Sequence, residues 1–230
     1  MEHFYVLIVG AGISGIGASH ALQRHCAGSR YAILEGRESI GETLDLFRYP
    51  GVRFDTDMYT LGYSFQPWTE HASMADGASI LKYVRDTARE HGIDRHVRYG
   101  SRVRSAAWSS RQARWTLVVD AAGAATPQQF SCNCLYLCGG YYDYAQGFAP
   151  DIAGREDFAG QVIHPQFWPE GLDYRGKQVV VVGSSATAMK IVPAMSDQAA
   201  HVTMLQRSPT YVASLPSRDG LPPEFDTKVT

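Results

Sequence analysis

Apolar positions along the chain fall into two periodicities, and their order lays out the fold. Phe4 to Val9 (FYVLIV) is a short continuous apolar run, as expected of a strand buried on both faces. A glycine turn follows, and a helix is predicted from about Ile16 to Cys26. Tyr31 to Leu34 reads as a second strand, ending at Glu35. Residues 36–73 carry turn residues and scattered aromatics, so they read as loop-rich, with Arg48-Tyr49-Pro50-Gly51 at their centre. Between about Gly77 and His91, the residues Ile80, Leu81, Val84 and Ala88 fall on one face, which predicts an amphipathic helix. Three strand candidates follow, at about 102–109, 114–120 and 129–138. The last two are joined by the small-residue turn Ala121 to Pro127, and the three predict an antiparallel meander. Residues 141–176 form a Gly/Pro/Asp-bearing connector. A second apolar run, Gln178 to Val182, then leads into a glycine turn, a helix to about Met195 and the strand His201 to Leu205.

The strand–turn–helix–strand unit therefore occurs twice. Gly10-Ala11-Gly12-Ile13-Ser14-Gly15 is a complete dinucleotide-binding turn. Gly10 permits the tight turn, Gly12 lets the backbone approach a pyrophosphate, and Gly15 allows the helix to pack closely on the strand. The diphosphate belongs at the helix N-terminus, where unpaired N–H groups favour negative charge. Glu35 stands where an acid accepts hydrogen bonds from the adenosine ribose. The second turn, Gly183-Ser184-Ser185-Ala186-Thr187-Ala188, keeps the first glycine and a small third position. Ser185 replaces the close-approach glycine, so its Cβ is expected to crowd a pyrophosphate. Arg207, rather than an acid, follows the next strand and suits a 2′-phosphate, hence NADP over NAD. The predicted fold is α/β: two Rossmann-like dinucleotide-binding units, with the antiparallel meander inserted in the first and the second incomplete. Residues 1–145 make the first domain, 146–176 the connector and 177–230 the partial second domain.

Composition narrows the class. Net charge is −2, with no Lys/Arg run, so neither nucleic acid nor an anionic membrane finds an electrostatic footprint. No apolar stretch approaches the roughly 18 residues of a membrane span, and the first apolar run ends in a glycine loop, unlike a signal peptide. A cytoplasmic globular protein is expected. Cys132, Cys134 and Cys138 could suggest a metal, but they lie in an apolar strand-like run without a His partner, so they read as buried structural cysteines and no metal site is expected.

Between the two turns lies Phe158-x-Gly160-x-x-x-His164-x-x-x-Trp168-Pro169. Taken alone, its residues read as a connector whose aromatics cover a surface, with His164 a hydrogen-bonding hinge. The pattern resembles the fingerprint of type I Baeyer–Villiger monooxygenases, which sits between two Rossmann motifs. The resemblance runs through most of the chain: Asp45 to Arg53 looks like the flavin-site loop of that family, with Arg48, Tyr49 and Pro50 implied at the cofactor. Tyr59 to Phe65 and Met204 to Tyr211 are similar as well, particularly to the flavin-containing monooxygenase-like subgroup. By resemblance, Asp55 corresponds to an aspartate that orients a catalytic arginine, and His164 and Trp168 join it in the catalytic set. The implied cofactors are FAD and NADPH. The implied reaction inserts one atom of O2 into a ketone, or oxidises a sulfide or amine. The chain departs from the family at Gly41-Glu42-Thr43-Leu44, where Gly-Gly-Thr-Trp is usual: Glu42 adds a side chain and a charge beside the flavin phosphate or ring, and Leu44 removes a stacking aromatic.

Family members are about twice this length, so the chain is expected to be an N-terminal half with little activity alone. Two alternatives stay open: a non-catalytic dinucleotide-binding fragment, and a relative of the N-hydroxylating flavin monooxygenases. A flavoprotein disulfide reductase needs a redox cysteine pair just after Glu35, and residues 36–60 contain none.

Overall fold

A computed structural model describes residues 1–213. By contact the chain divides into two compact units: Met1–Asp45 with Leu81–Tyr142, and Leu46–Ile80 with the described residues from Asp143 on. Residues 46–80, placed by sequence in the first domain, thus group with the second glycine turn. The end of the predicted second domain, 214–230, lies outside the described residues.

The first unit is built on one six-stranded sheet. Strands β1 (Glu2–Val9), β2 (Tyr31–Leu34), β3 (Val97–Arg98), β4 (Ser101–Ser109), β5 (Arg114–Ala121) and β6 (Gln128–Leu137) take the order β3-β2-β1-β6-β5-β4. Strand β1 pairs in parallel with β2 on one side and with β6 on the other, Val6 lying opposite Tyr31 and Cys134. The meander is therefore not a separate inserted layer. Its last strand lies beside β1 in the middle of the sheet, and β5 and β4 extend that sheet by antiparallel pairing. The two pairing modes match the two sequence patterns. All four residues of β2 are buried, whereas β5 hides Leu117 and Val119 at alternate positions. Phe4, Leu7, Ala32, Leu34, Leu117, Val119, Phe130 and Cys132 form one core across these strands. The two-residue β3 has no sequence signal of its own; it is recruited by pairing with the end of β2.

Helix α1 (Ile13–His25) begins three residues before the predicted start, directly on Gly12. The loop-rich stretch contains two single-turn helices, α2 (Thr43–Leu46) and α3 (Met58–Leu61), the latter capped by the Asp57 carboxylate accepting from Thr60 N–H at 2.8 Å. Helix α4 (Gly77–Glu90) is amphipathic as predicted, with Ile80, Val84 and Ala88 fully buried.

In the second unit, β7 (Gln178–Val182), α5 (Ala186–Ser196) and β8 (His201–Leu205) form the other strand–turn–helix–strand unit, its strands parallel with Val180 opposite Thr203. Val179, Val181 and Val202 pack with Tyr49, Ile191 and Met195, while Val180, Val182 and Leu205 on the same strands are exposed. The connector holds single 3₁₀ turns at Arg155–Asp157 and Pro165–Phe167. Among the described residues no helix is long and apolar enough to cross a membrane.

Candidate functional site

The two glycine turns share one backbone geometry. Gly10 and Gly183 both take positive φ, at 103° and 132°, a region closed to most side chains. Gly12 and Ser185 then occupy equivalent N-cap positions, with φ and ψ of −83° and −169° for Gly12 and −83° and −176° for Ser185. The negative φ explains why serine is tolerated at the second turn. Its Cβ is unstrained, Ser185 is exposed, and neither residue supplies a side-chain cap to its helix. Neither helix start is capped by the side chain of its own N-cap residue, the arrangement found where a helix N-terminus meets an anion. Gly15 and Ala188 fill the third positions; a Cβ on Gly15 would strike the Gly10 carbonyl.

At the first turn Glu35 is 2% exposed. Its Oε2 accepts from Ala11 N–H and its Oε1 from Arg37 N–H, each at 2.8 Å. The carboxylate expected at a ribose therefore also braces the turn, and with about four acceptor positions it retains capacity for a ligand hydroxyl. Glu42 changes the picture more. It is buried, and its carboxylate lies over Gly10 and Gly12; a Cβ built on Gly12 would stand 2.5 Å from Glu42 Oε2. The backbone cradle thus fits a diphosphate, while one side chain of the chain itself stands in it.

An ion cluster centred on the buried Asp45 beside this loop had no signature in the sequence. Asp45 accepts from Arg37 Nη2 and Ser39 Oγ, both at 2.7 Å, and from Arg85 Nη2 at 2.8 Å. Arg85 Nε also donates to the Ile40 carbonyl at 3.2 Å. Burial works to raise the Asp45 pKa, but the hydrogen bonds from Arg37 and Ser39 and the two guanidinium charges outweigh it and hold the carboxyl below its ordinary value.

The second unit collects the other predicted residues. Tyr49 is buried against Ile191 and Met195, and its hydroxyl is hydrogen-bonded to Thr187 of α5. Burial pushes the phenol upward; the Thr187 bond opposes this and the Asp55 charge adds to it. Arg48 is exposed and Pro50 half-buried. Gly51, at φ 75°, lies so close to α5 that a Cβ would come within 2.6 Å of the Lys190 carbonyl. Asp55 is largely exposed and pairs with Lys190 Nζ at 3.1 Å, with Arg53 Nε 3.9 Å away. Lys190, itself buried, is a partner that sequence reasoning missed, because a lysine on a helix ordinarily faces solvent. Ser184 Oγ donates to the Ser208 carbonyl at 3.2 Å and lies 3.0 Å from Thr210 Oγ1, tying the turn to the segment after β8. Ala186 is exposed, as is Arg207, which makes no ion pair among the described residues.

The fingerprint residues have local roles. His164 Nδ1 accepts from Gln166 N–H at 3.2 Å and its Nε2 donates to the Phe148 carbonyl at 3.1 Å, an arrangement that selects the neutral Nε2–H tautomer. Trp168 is half-buried and packs against the Tyr49–Ile191–Met195 cluster. The Phe158 ring covers Gly160, where a Cβ would lie 2.5 Å from the ring edge, which accounts for their fixed spacing.

Cys132 and Cys138 are buried, with thiols pushed up to about 11, chiefly by burial; Cys26 and Cys134 are exposed. No cluster of metal-ligating side chains occurs among the described residues.

The chain thus repeats one strand–turn–helix–strand unit, each helix starting directly after a glycine turn. It belongs to the pyridine nucleotide-disulphide oxidoreductase family, whose model matches residues 7–218, and within that architecture to the class B flavin monooxygenases. The FAD-containing monooxygenase EthA of Mycobacterium tuberculosis is 56% identical over 221 residues, covering 96% of this chain and 45% of its own length. The structure of oxidized steroid monooxygenase bound to NADP is 29% identical with a TM-score of 0.79, covering 91% of this chain and 39% of its own. That of an open cyclohexanone monooxygenase is 25% identical with a TM-score of 0.85, covering 100% of this chain and 44% of its own. The chain thus spans less than half the length of these relatives. The disulphide chemistry in the family name does not extend to the residues after β2, since 36–60 contain no cysteine.

Proposed function

We propose that this chain supplies the FAD and NADPH sites of a flavin monooxygenase that transfers one atom of O2 to a small ketone or sulfide. FAD is assigned to the first turn, through Gly10, Gly12, Gly15 and Glu35, and NADPH to the second, through Gly183 to Thr187 with Arg207 at the 2′-phosphate. The observation that carries the reading is the repeated turn geometry, positive φ followed by an uncapped N-cap, at both helix starts. The 56% identity to an FAD-containing monooxygenase and the likeness to an NADP-bound one support it. When bound, FAD supplies the redox and oxygen chemistry. The residues of this chain bind, orient and neutralise charge: Arg207 pairs with a phosphate, and Asp55 holds a cation, here Lys190.

The test is gel filtration of the purified chain with FAD, followed by its flavin spectrum, and titration with NADPH and NADH. Co-elution of flavin, together with an NADPH preference that Arg207→Ala erases, is expected. An unchanged NADPH/NADH ratio in Arg207→Ala removes the second assignment. A second reading, dinucleotide binding without turnover, is favoured by one observation, the Glu42 carboxylate at the first turn.

A further inference from the structure

Glu42 is one of two non-glycine described residues at positive φ, at 45°. That conformation strains a side-chain-bearing residue, so the surrounding loop has to enforce it. The loop is well enough held to do so. Gly41 N–H donates to the Ala11 carbonyl at 3.2 Å, anchoring residue 41 on the glycine turn itself. Leu44 N–H returns to the Gly41 carbonyl at 2.9 Å, and Asp45 N–H to the Glu42 carbonyl at 3.1 Å. Arg85 grips the Ile40 carbonyl and, with Arg37, the Asp45 carboxylate. Glu42 is 6% exposed, and its two carboxylate oxygens lie one against Gly10 and the other against Gly12. Its charge is also felt at Cys138, whose carbonyl borders Gly10.

The cradle beneath it is the start of a 13-residue helix with no side-chain cap and no acidic residue in its first turn. Such a terminus attracts an anion, and the Glu42 carboxylate of the chain itself lies against it. We propose that Glu42 is an internal occupant of the diphosphate position, a tethered carboxylate that an incoming nucleoside diphosphate, including that of FAD, has to displace. The proposal rests on the assignment of FAD to the first turn. It adds that this turn is held shut, and that the residue holding it sits where the resembling family usually has glycine. The competition has two parts: the carboxylate fills the space above Gly10 and Gly12, and its negative charge repels the phosphates.

The parts separate by substitution in the full chain. E42G removes both and relieves the positive φ, whereas E42Q keeps the volume and removes the charge. Wild type, E42G and E42Q are titrated with FAD by flavin fluorescence and with ADP by calorimetry, and far-UV circular dichroism records whether each is folded. E42G is expected to bind both ligands at least about tenfold more tightly, the scale of one charge-assisted hydrogen bond no longer competed for, with E42Q between it and wild type. If E42G does not fold, the E42Q comparison decides. Equal affinities in the folded proteins, or no binding by any of them, overturn the proposal. Gly12→Val in the E42G background keeps the two readings apart. If the Glu42 variants bind alike but Gly12→Val abolishes FAD binding, the first-turn assignment stands and the Glu42 occupant does not. If Gly12→Val leaves FAD affinity unchanged, the site assignment itself fails.

Discussion

Replacing Asp45 tests what holds the 41–45 loop over the first glycine turn. Its side chain is 10% exposed and accepts hydrogen bonds from Ser39 and from two guanidinium groups whose side chains are 26% and 41% exposed. Stranding a cation by removing its buried partner costs about 3–5 kcal/mol where both groups are fully buried. Here Arg37 and Arg85 regain part of their hydration, so Asp45→Ala should cost about 2–3 kcal/mol. Asp45→Asn, which keeps the shape and some of the hydrogen bonds, should cost about 1 kcal/mol. With a urea m-value of about 2 kcal/mol/M, Asp45→Ala then lowers the midpoint by about 1–1.5 M. The pH dependence carries an independent signature. The folded pKa of Asp45 is depressed, so the network's contribution is fully present above the unfolded carboxylate value of about 3.9 and is lost as pH falls through the folded value. The wild-type advantage over Asp45→Asn should be constant from pH 7 to 5 and vanish in strong acid. Urea unfolding by circular dichroism, with hydrogen exchange read at α4, measures both. A midpoint shift below about 0.25 M for Asp45→Ala, or a pH-independent gap to Asp45→Asn, refutes the reasoning.

Two further outcomes follow from burial. Of the four thiols, Cys26 and Cys134 should react quickly with Ellman's reagent at pH 8, while Cys132 and Cys138, buried with pKa values of about 11, should react only on unfolding; four fast thiols would contradict the placement. Lys190 and Asp55 should respond asymmetrically: Lys190→Met removes a buried charge and should stay within about 1 kcal/mol of wild type, whereas Asp55→Ala strands that charge and should cost about 1–3 kcal/mol. Equal melting-temperature losses for the two variants would show that the ion pair does not set the effect.

The strands and helices around both turns were legible because short apolar runs, a period of 3.6 and the turn glycines are local signals. The tertiary partners were not. The meander read correctly as three antiparallel strands, but nothing local said that β6 would lie beside β1 in the central sheet. Strand β3 is two residues long, below any periodicity. Residues 46–80 group with the second turn because Gly51 and Tyr49 pack on α5, a contact made across more than a hundred positions in sequence.

Glu42 and Ser185 show the same limit in functional form. In sequence each is a larger residue where a dinucleotide turn or its loop favours glycine, and each is expected to burden cofactor binding. The structure separates them by backbone conformation and by direction. Ser185 sits at φ −83° and is exposed, so its Cβ carries no backbone strain, and on the proposed reading it would narrow the site only for a ligand. Glu42 sits at φ 45° and is buried, so the protein already bears the strain of placing it, and its carboxylate takes the cradle before any ligand arrives. A substitution that only narrows a site should weaken binding by a steric increment. One that supplies a competing anion should add a charge-dependent increment as well, which neutralisation without loss of volume removes. A glycine lost from one turn and a glycine lost from the loop over the other therefore act through different physics, and the difference lies in the φ angle and the direction of one side chain.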